Sequence, residues 1–215
     1  MVIELFTSEG CSSCPPAEAV LGRLAREGVD GNRVLLLSEH VNYWDGLGWA
    51  DRFASPELTA RQGRYARRLG LPSIYTPQAV VNGEADAVGS DAGALRAAVR
   101  AAAQKPRGVL ALRREIGAVA VEGTWARGRA TVYVAILEDG ARSVVTRGEN
   151  AGRTLEHAGV VRWLGAAGEG DGGFRGAVTV PEVPHTGALR LVAFAQLGGD
   201  GPLVAVGELG LRDER

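Results

Sequence analysis

The feature that most constrains the fold is a pair of cysteines, Cys11 and Cys14, between an apolar run and an amphipathic segment. They are the only cysteines of the chain. Residues 2–6 are apolar enough for a buried strand. After the pair, apolar residues recur at the spacing of one helix face, at Ala17, Val20, Leu21 and Leu24. Prolines at 15 and 16 are tolerated only in the first turn of a helix, so the sequence predicts a helix that begins at the cysteines.

Two thiols at this spacing can close into a disulfide with little movement of the backbone. The N-terminus of a helix carries a partial positive charge, which favours a thiolate over a thiol. We therefore predict thiol–disulfide exchange, with Cys11 as the exposed nucleophile and Cys14 as the buried resolving thiol. Cys11 would form a mixed disulfide with the substrate, and Cys14 would resolve it.

A second buried strand is predicted at Val34–Leu37, which completes a right-handed βαβ unit with parallel strands. The carboxyl ends of these strands share one edge of the sheet, where sites form. His40 follows the second strand at that edge, and either relays protons, tunes the Cys11 thiolate or is a structural histidine. Trp44 lies in the aromatic loop that follows, and either lines a substrate groove or covers the sheet edge.

A further site element is predicted at Thr76-Pro77, directly before the strand-like run 79–81. Asn82-Gly83 is a strong signal for a two-residue hairpin. A proline at the first residue of its strand removes no ladder hydrogen bond and is the residue type that supports a cis peptide bond. We expect a cis bond before Pro77, opposite the cysteines, with the backbone of Thr76 free to pair with an extended substrate. The alternative is an ordinary trans proline.

The pattern changes after Lys105-Pro106, from helical periodicity to strand-like runs between glycine-rich turns. The spacing of about 8–12 residues is typical of a β-sandwich. We therefore predict an α/β thioredoxin-like redox domain over residues 1–106 and a β-sandwich-like domain over residues 107–215. Within the second segment, residues 147–154 are either a hairpin loop or an arm that docks on the redox site.

Charge and hydropathy exclude several classes of function. The 24 basic and 25 acidic residues offer no basic field for nucleic acid, and no apolar run approaches the length of about 20 residues that a membrane span needs. The three histidines are not paired at metal-ligand spacing, so we expect no metal site and no cofactor. Without an export signal in the sequence we expect a cytoplasmic protein, or a periplasmic one if a signal has been removed.

Five stretches together carry a family resemblance: Glu4–Glu18, His40–Asp45, Phe53–Pro56, Tyr75–Gln78 and Arg147–Thr154. They resemble the bacterial thioredoxin-like family known as domain of unknown function 1223. The resemblance covers nearly the whole chain and implies a thioredoxin fold with a C-terminal β domain. Many relatives look exported, which is consistent with a periplasmic setting.

The expected function is a thiol–disulfide oxidoreductase that uses Cys11 and Cys14 on a disulfide- or thiol-containing protein or small molecule. The expected substrate-binding residues are His40, Trp44, Thr76 and Pro77. Two alternatives remain open at this point. The thiolates, with His40, can bind or deliver copper or zinc, or the protein is a redox-inert scaffold that binds a partner.

Overall fold

A computed structural model describes residues 1–210 and contains, over that range, eleven β-strands and three α-helices. The helices are α1 Cys14–Glu27, α2 Pro56–Leu69 and α3 Ala92–Ala103, and a 3-10 helix covers Asn42–Leu47. The strands are β1 Val2–Thr7, β2 Leu35–His40, β3 Gln78–Val81, β4 Ala85–Val88, β5 Gly108–Glu115, β6 Ala118–Asp139, β7 Ala141–Val144, β8 Thr154–His157, β9 Val160–Thr179, β10 Ala188–Leu197 and β11 Leu203–Gly210.

Nine of these strands form one sheet in the order β10-β11-β5-β6-β9-β2-β1-β3-β4, while β7 and β8 form a separate antiparallel pair. β1 and β2 are parallel, and β3 runs antiparallel to β1 with Gln78 opposite Phe6. β10 pairs with both β11 and the second half of β6. Within the sheet, the strands before residue 107 meet the later strands where β2 pairs with β9, with Ser38 opposite Val160.

The helices begin and end where local chemistry predicts. α1 carries prolines at its first positions, and its buried face packs on the sheet through Ala17, Leu21 and Leu24. The hydroxyl of Ser55 accepts a hydrogen bond from the N–H of Leu58 and so caps α2. The hairpin between β3 and β4 turns at Asn82 and Gly83, which both have positive φ, as a type I′ turn requires.

One apolar core is shared by the two parts of the chain. It contains side chains from β1, β2 and α2 together with side chains from β6, β9, β10 and β11, namely Val2, Leu35, Leu37, Leu58, Ala135, Leu137, Val161, Val192, Phe194 and Leu203. The face of β2 is therefore covered partly by later strands. Removing those strands would expose this apolar surface to water, at a cost of about 25 cal/mol per Å².

The predicted fold class is wrong. The protein is not an α/β thioredoxin-like domain joined to a separate β-sandwich-like domain, because it is mostly β and its main sheet runs through both segments. The physical reason is the shared core: periodicity identifies an apolar strand face, but does not identify which distant strands cover it. The division into residues 1–106 and 107–215 stays a prediction. β5 begins at Gly108, close to that boundary, and residues 211–215 lie outside the described range.

A glycine-rich stretch forms one continuous strand, β9. Two aromatic rings cover its glycines: a Cβ on Gly165 would lie 2.2 Å from the ring of Trp163, and one on Gly176 would lie 2.7 Å from the ring of Phe174. Glycine here provides room for an aromatic side chain and does not mark a turn.

Candidate functional site around the Cys11–Cys14 pair

Cys11 and Cys14 form a disulfide at the carboxyl end of β1, with their Cα atoms 5.4 Å apart. Cys14 is the first residue of α1, and its N–H donates to the carbonyl of Cys11. The hydroxyl of Ser13 lies 3.3 Å from Cys11 Sγ. The helix N-terminus and this hydroxyl both stabilise negative charge on sulfur, so reduction of the disulfide would leave thiolate-stabilising groups beside Cys11.

Both cysteines are fully buried, so the prediction of an exposed Cys11 is wrong. A loop from the C-terminal part of the chain, residues 145–153, lies against the backbone of Cys11 and Ser12, and we call it the covering loop. The loop is closed on itself by backbone hydrogen bonds between Val145 and both Gly152 and Arg153. Sequence reasoning from the first segment alone had no means to include it.

The covering loop binds residues 8–13, which connect β1 to α1 and which we call the cysteine loop, through two side chains. The amide of Asn150 donates to the carbonyl oxygens of Glu9 and Cys11, both at 2.9 Å. The N–H of Ser12 donates to the carboxylate of Glu149 at 3.0 Å. Residues 145–153 connect the paired strands β7 and β8, so they are a hairpin loop, and this loop also docks on the residues around the cysteines.

Thr76 and Pro77 directly precede β3, and Trp44 of the 3-10 helix lies between Thr76 and Gly10, the residue before Cys11. The Thr76–Pro77 peptide bond is cis, as predicted. Pro77 directly precedes β3, whose first residue Gln78 pairs with Phe6 of β1. The indole N–H of Trp44 donates to the hydroxyl of Thr76 at 2.9 Å. Substrate binding by these three residues stays a prediction.

His40 ends β2 beside Thr7, at the same sheet edge as the cysteines. Its Nδ1 lies 2.7 Å from Oδ2 of Asp51. The same oxygen accepts a hydrogen bond from the N–H of Glu9, and Oδ1 of Asp51 accepts one from the N–H of Phe53. Burial opposes ionisation of Asp51, but the charge of His40 and these hydrogen bonds lower the pKa of Asp51 below its usual value. His40 Nε2 is buried and has no hydrogen-bond partner among the described residues.

Four residues of the site were not among the predicted site residues: Glu9, Glu18, Asp51 and His157. His157 Nδ1 lies 2.7 Å from Glu18, and its Nε2 lies 3.2 Å from Glu9. Burial lowers the pKa of His157, but the hydrogen bonds and charges of Glu18 and Glu9 raise it to about 10, so both ring nitrogens carry protons at neutral pH. The rings of His40 and His157 are 5.1 Å apart. Their 117-residue separation in sequence left no spacing signal. We call Glu9, Glu18, His40, Asp51 and His157 the histidine cluster.

The arrangement places the disulfide-bonded cysteines next in sequence to members of a buried group of acids and bases. The cluster includes residues on both sides of the pair, because Glu9 lies two residues before Cys11, Glu18 lies one turn after Cys14, and both bind His157. His157 therefore fixes the cysteine loop and the start of α1 to the C-terminal part of the chain. Groups of this kind can hold or move protons when thiols and thiolates interconvert.

Comparisons with known proteins support the family and give no activity. A family profile described as Protein of unknown function (DUF1223) matches residues 2–196. A crystal structure of a protein from Agrobacterium tumefaciens is similar over 100% of this chain and 95% of its own, with 28% sequence identity and a TM-score of 0.78. The structure of HBP35 of Porphyromonas gingivalis is similar over 98% of this chain and 74% of its own, with 15% identity and a TM-score of 0.71. No curated protein matched the sequence.

The expected absence of a membrane span is consistent with the described helices. Within residues 1–210 none of them is long and apolar enough to cross a membrane. The kind of partner, whether a protein or a small thiol, stays a prediction.

Proposed function

We propose that this chain, which belongs to the family described as Protein of unknown function (DUF1223), is a thiol–disulfide oxidoreductase. Its Cys11–Cys14 pair would exchange with disulfides or thiols of a protein or small molecule. The single observation that carries the proposal is the position of the pair, closed as a disulfide at the N-terminus of α1 and at the carboxyl end of β1.

The chemistry begins from the dithiol form. The Cys11 thiolate attacks one sulfur of the substrate disulfide, a new Cys11–substrate disulfide forms, and the other substrate sulfur leaves as a thiolate. Cys14 then attacks the sulfur of Cys11, which restores the Cys11–Cys14 disulfide and releases the second substrate thiolate. Two electrons pass from the protein to the substrate. In the reverse direction a dithiol substrate reduces the Cys11–Cys14 disulfide through the same two exchange steps, taken in the opposite order.

The roles of the two cysteines follow from their surroundings. Cys11 has the Ser13 hydroxyl 3.3 Å from its sulfur, and a hydroxyl can donate to a thiolate. Cys14 lies within the first turn of α1, where its own movement is limited by the helix. Cys11 is therefore the better attacking sulfur, and Cys14 the better resolving one.

Exchange requires the covering loop to move, because neither sulfur is accessible while Asn150 and Glu149 are docked. Glu149 is exposed, so its hydrogen bond to Ser12 contributes little stability. Asn150 is buried and makes two bonds to the cysteine loop, so it is the stronger attachment. A substrate that reaches Cys11 must displace these contacts.

The proposal is tested by trapping. The reduced Cys14→Ser variant, mixed with oxidised glutathione and with a protein disulfide such as insulin, should accumulate a mixed disulfide at Cys11 that intact-mass analysis detects. The Cys11→Ser variant should accumulate far less, and the wild-type protein should turn over insulin in the presence of a dithiol reductant. A Cys14→Ser protein that forms no adduct, together with wild-type turnover equal to that of the double serine variant, would rule the function out.

A further inference from the structure

We infer that Glu18, His40 and His157 form a binding site for one divalent transition-metal ion of the zinc type. One ligand atom from each residue lies within 4.8 Å of the other two. They come from three elements: Glu18 from α1, His40 from the end of β2, and His157 from the end of β8. The inference goes beyond the proposed redox function and does not depend on it, because it uses neither sulfur.

Each of the three residues has its other polar atom already held by a neighbour. His40 Nδ1 lies 2.7 Å from Asp51, and His157 Nε2 lies 3.2 Å from Glu9. The hydroxyl of Thr7 donates to Oε1 of Glu18 at 3.0 Å. The three atoms that would hold a ligand are Nε2 of His40, which has no partner among the described residues, and Nδ1 of His157 and Oε2 of Glu18, which face each other. A carboxylate behind each histidine is the usual support of a protein metal site, since it fixes the orientation of the ring.

His40 Nε2 supplies an independent observation. The side chain is fully buried, and this nitrogen has no hydrogen-bond partner among the described residues. A buried polar atom without a partner is costly, and in native proteins such an atom usually has a ligand, an ion or a water as its partner. A metal ion among the three atoms would satisfy it.

The donor set selects the class of ion. Two imidazoles and one carboxylate bind zinc and similar divalent transition metals, commonly with a fourth position open to water or substrate. Ligand distances of about 2.0–2.2 Å place neighbouring ligand atoms about 3.4 Å apart in a tetrahedral site, so side-chain shifts of about 1 Å are enough. Nδ1 of His157 now faces Oε2 of Glu18 at 2.7 Å, and the ion would replace the proton between them.

A cleft beside α1 offers an access route. This cleft, of about 770 Å³ between α1 and the β7–β8 pair, is lined by both Glu18 and His157. The carboxylate of Glu18 is 10% exposed, whereas the side chains of the two histidines are fully buried. An ion would therefore enter at Glu18 and reach the histidines behind it.

Zinc titration of the oxidised full-length protein tests the inference, because the closed disulfide removes both thiolates as ligands. Calorimetry should show one Zn²⁺ per chain. The His40→Ala and Glu18→Gln variants should bind Zn²⁺ more than about 100-fold more weakly, because a ligand is lost, and Asp51→Asn should bind 10–100-fold more weakly. Cobalt(II) should give visible bands of a nitrogen–oxygen site without thiolate charge transfer.

Two matched controls keep the test decisive. His185→Ala removes the exposed third histidine and should leave Zn²⁺ affinity unchanged. The Cys11→Ser/Cys14→Ser double variant should also keep it, which separates this site from the redox proposal. Circular dichroism checks that each variant is folded, and Glu18→Gln serves if His40→Ala unfolds. Absence of stoichiometric Zn²⁺ binding to the wild type, or equal binding by the wild type and Glu18→Gln, would overturn the inference.

Discussion

Two of the groups of charged side chains that the protein buries are built differently. The first, which we call the arginine cluster, consists of Glu4, Glu39, Arg61, Tyr65 and Gln196. Arg61 lies at its centre and donates to Glu4 at 2.6 Å, to Tyr65 at 2.9 Å and to Gln196 at 3.0 Å. The second is the histidine cluster, whose centre is a set of three converging nitrogen and oxygen atoms.

The two clusters differ in the cation at their centre, which is permanent in the arginine cluster and exchangeable in the histidine cluster. The guanidinium of Arg61 is permanently charged, so the arginine cluster always contains its own cation. Gln196 belongs to β10, and through it the cluster ties α2 to the C-terminal strands. In the histidine cluster the central positive charge is a proton on His157, which can be exchanged for a metal ion.

The largest expected effect comes from removing the built-in cation. Arg61→Leu leaves Glu4 and Glu39 buried without their guanidinium, and should lower the free energy of unfolding by about 3–5 kcal/mol. Urea denaturation measures it. Arg67→Leu, on the exposed side of the same helix, is the matched control and should change stability by less than about 0.5 kcal/mol. Equal effects of the two variants would show that the arginine cluster does not support the fold.

The arginine cluster should also give a distinctive pH dependence. Burial and the nearby charge of Glu4 raise the pKa of Glu39 well above its usual value. A carboxyl whose pKa is raised on folding favours the folded state at low pH, and this contribution is lost as pH rises from its unfolded pKa to its folded pKa. The Glu39→Gln variant should therefore gain stability relative to the wild type as pH increases from 4 through neutrality, in unfolding curves measured at each pH. A constant difference between the two proteins would contradict this.

A smaller loss is expected at the histidine cluster in the absence of added metal. His40→Gln removes the hydrogen bond to Asp51, which keeps its two backbone donors, so stability should fall by about 2 kcal/mol. Added Zn²⁺ should raise the melting temperature of the wild type and leave that of His40→Gln unchanged. If Zn²⁺ raises the melting temperatures of the wild type and His40→Gln equally, the histidine cluster does not exchange its proton for a metal ion.

The smallest effect on stability should come from the covering loop. Asn150→Ala loses two hydrogen bonds to the cysteine loop and should cost about 1–2 kcal/mol. Because the loop then opens more often, reduction of the Cys11–Cys14 disulfide by dithiothreitol should be about tenfold faster. Arg147→Ala, an exposed position of the same loop, should leave the rate unchanged. An unchanged rate for Asn150→Ala would show that the loop does not limit access.

Local structure around the cysteines could be predicted because its signals are short-range. Pro15 and Pro16 set the start of α1, Asn82-Gly83 set the hairpin, and Pro77 marked the cis bond. These features depend on the conformational limits of a few adjacent residues.

Features formed by distant segments could not be predicted in the same way. His157 joins Glu9 and Glu18 from more than 130 positions away, and Asn150 covers Cys11 from a similar distance. The fold class was wrong for the same reason, since Phe194 and Val192 complete a core that begins with Val2. Pairing between remote strands leaves little trace in a single sequence.

The central claim is that the Cys11–Cys14 disulfide is a redox couple and not a structural crosslink. Its most direct test is to equilibrate the full-length protein in thiol–disulfide buffers of graded potential and to measure the dithiol fraction by alkylation and mass analysis. We predict a reversible two-electron transition in the range of roughly −270 to −120 mV in which known dithiol couples lie. A pair that stays oxidised below about −300 mV, as structural disulfides do, would contradict the account.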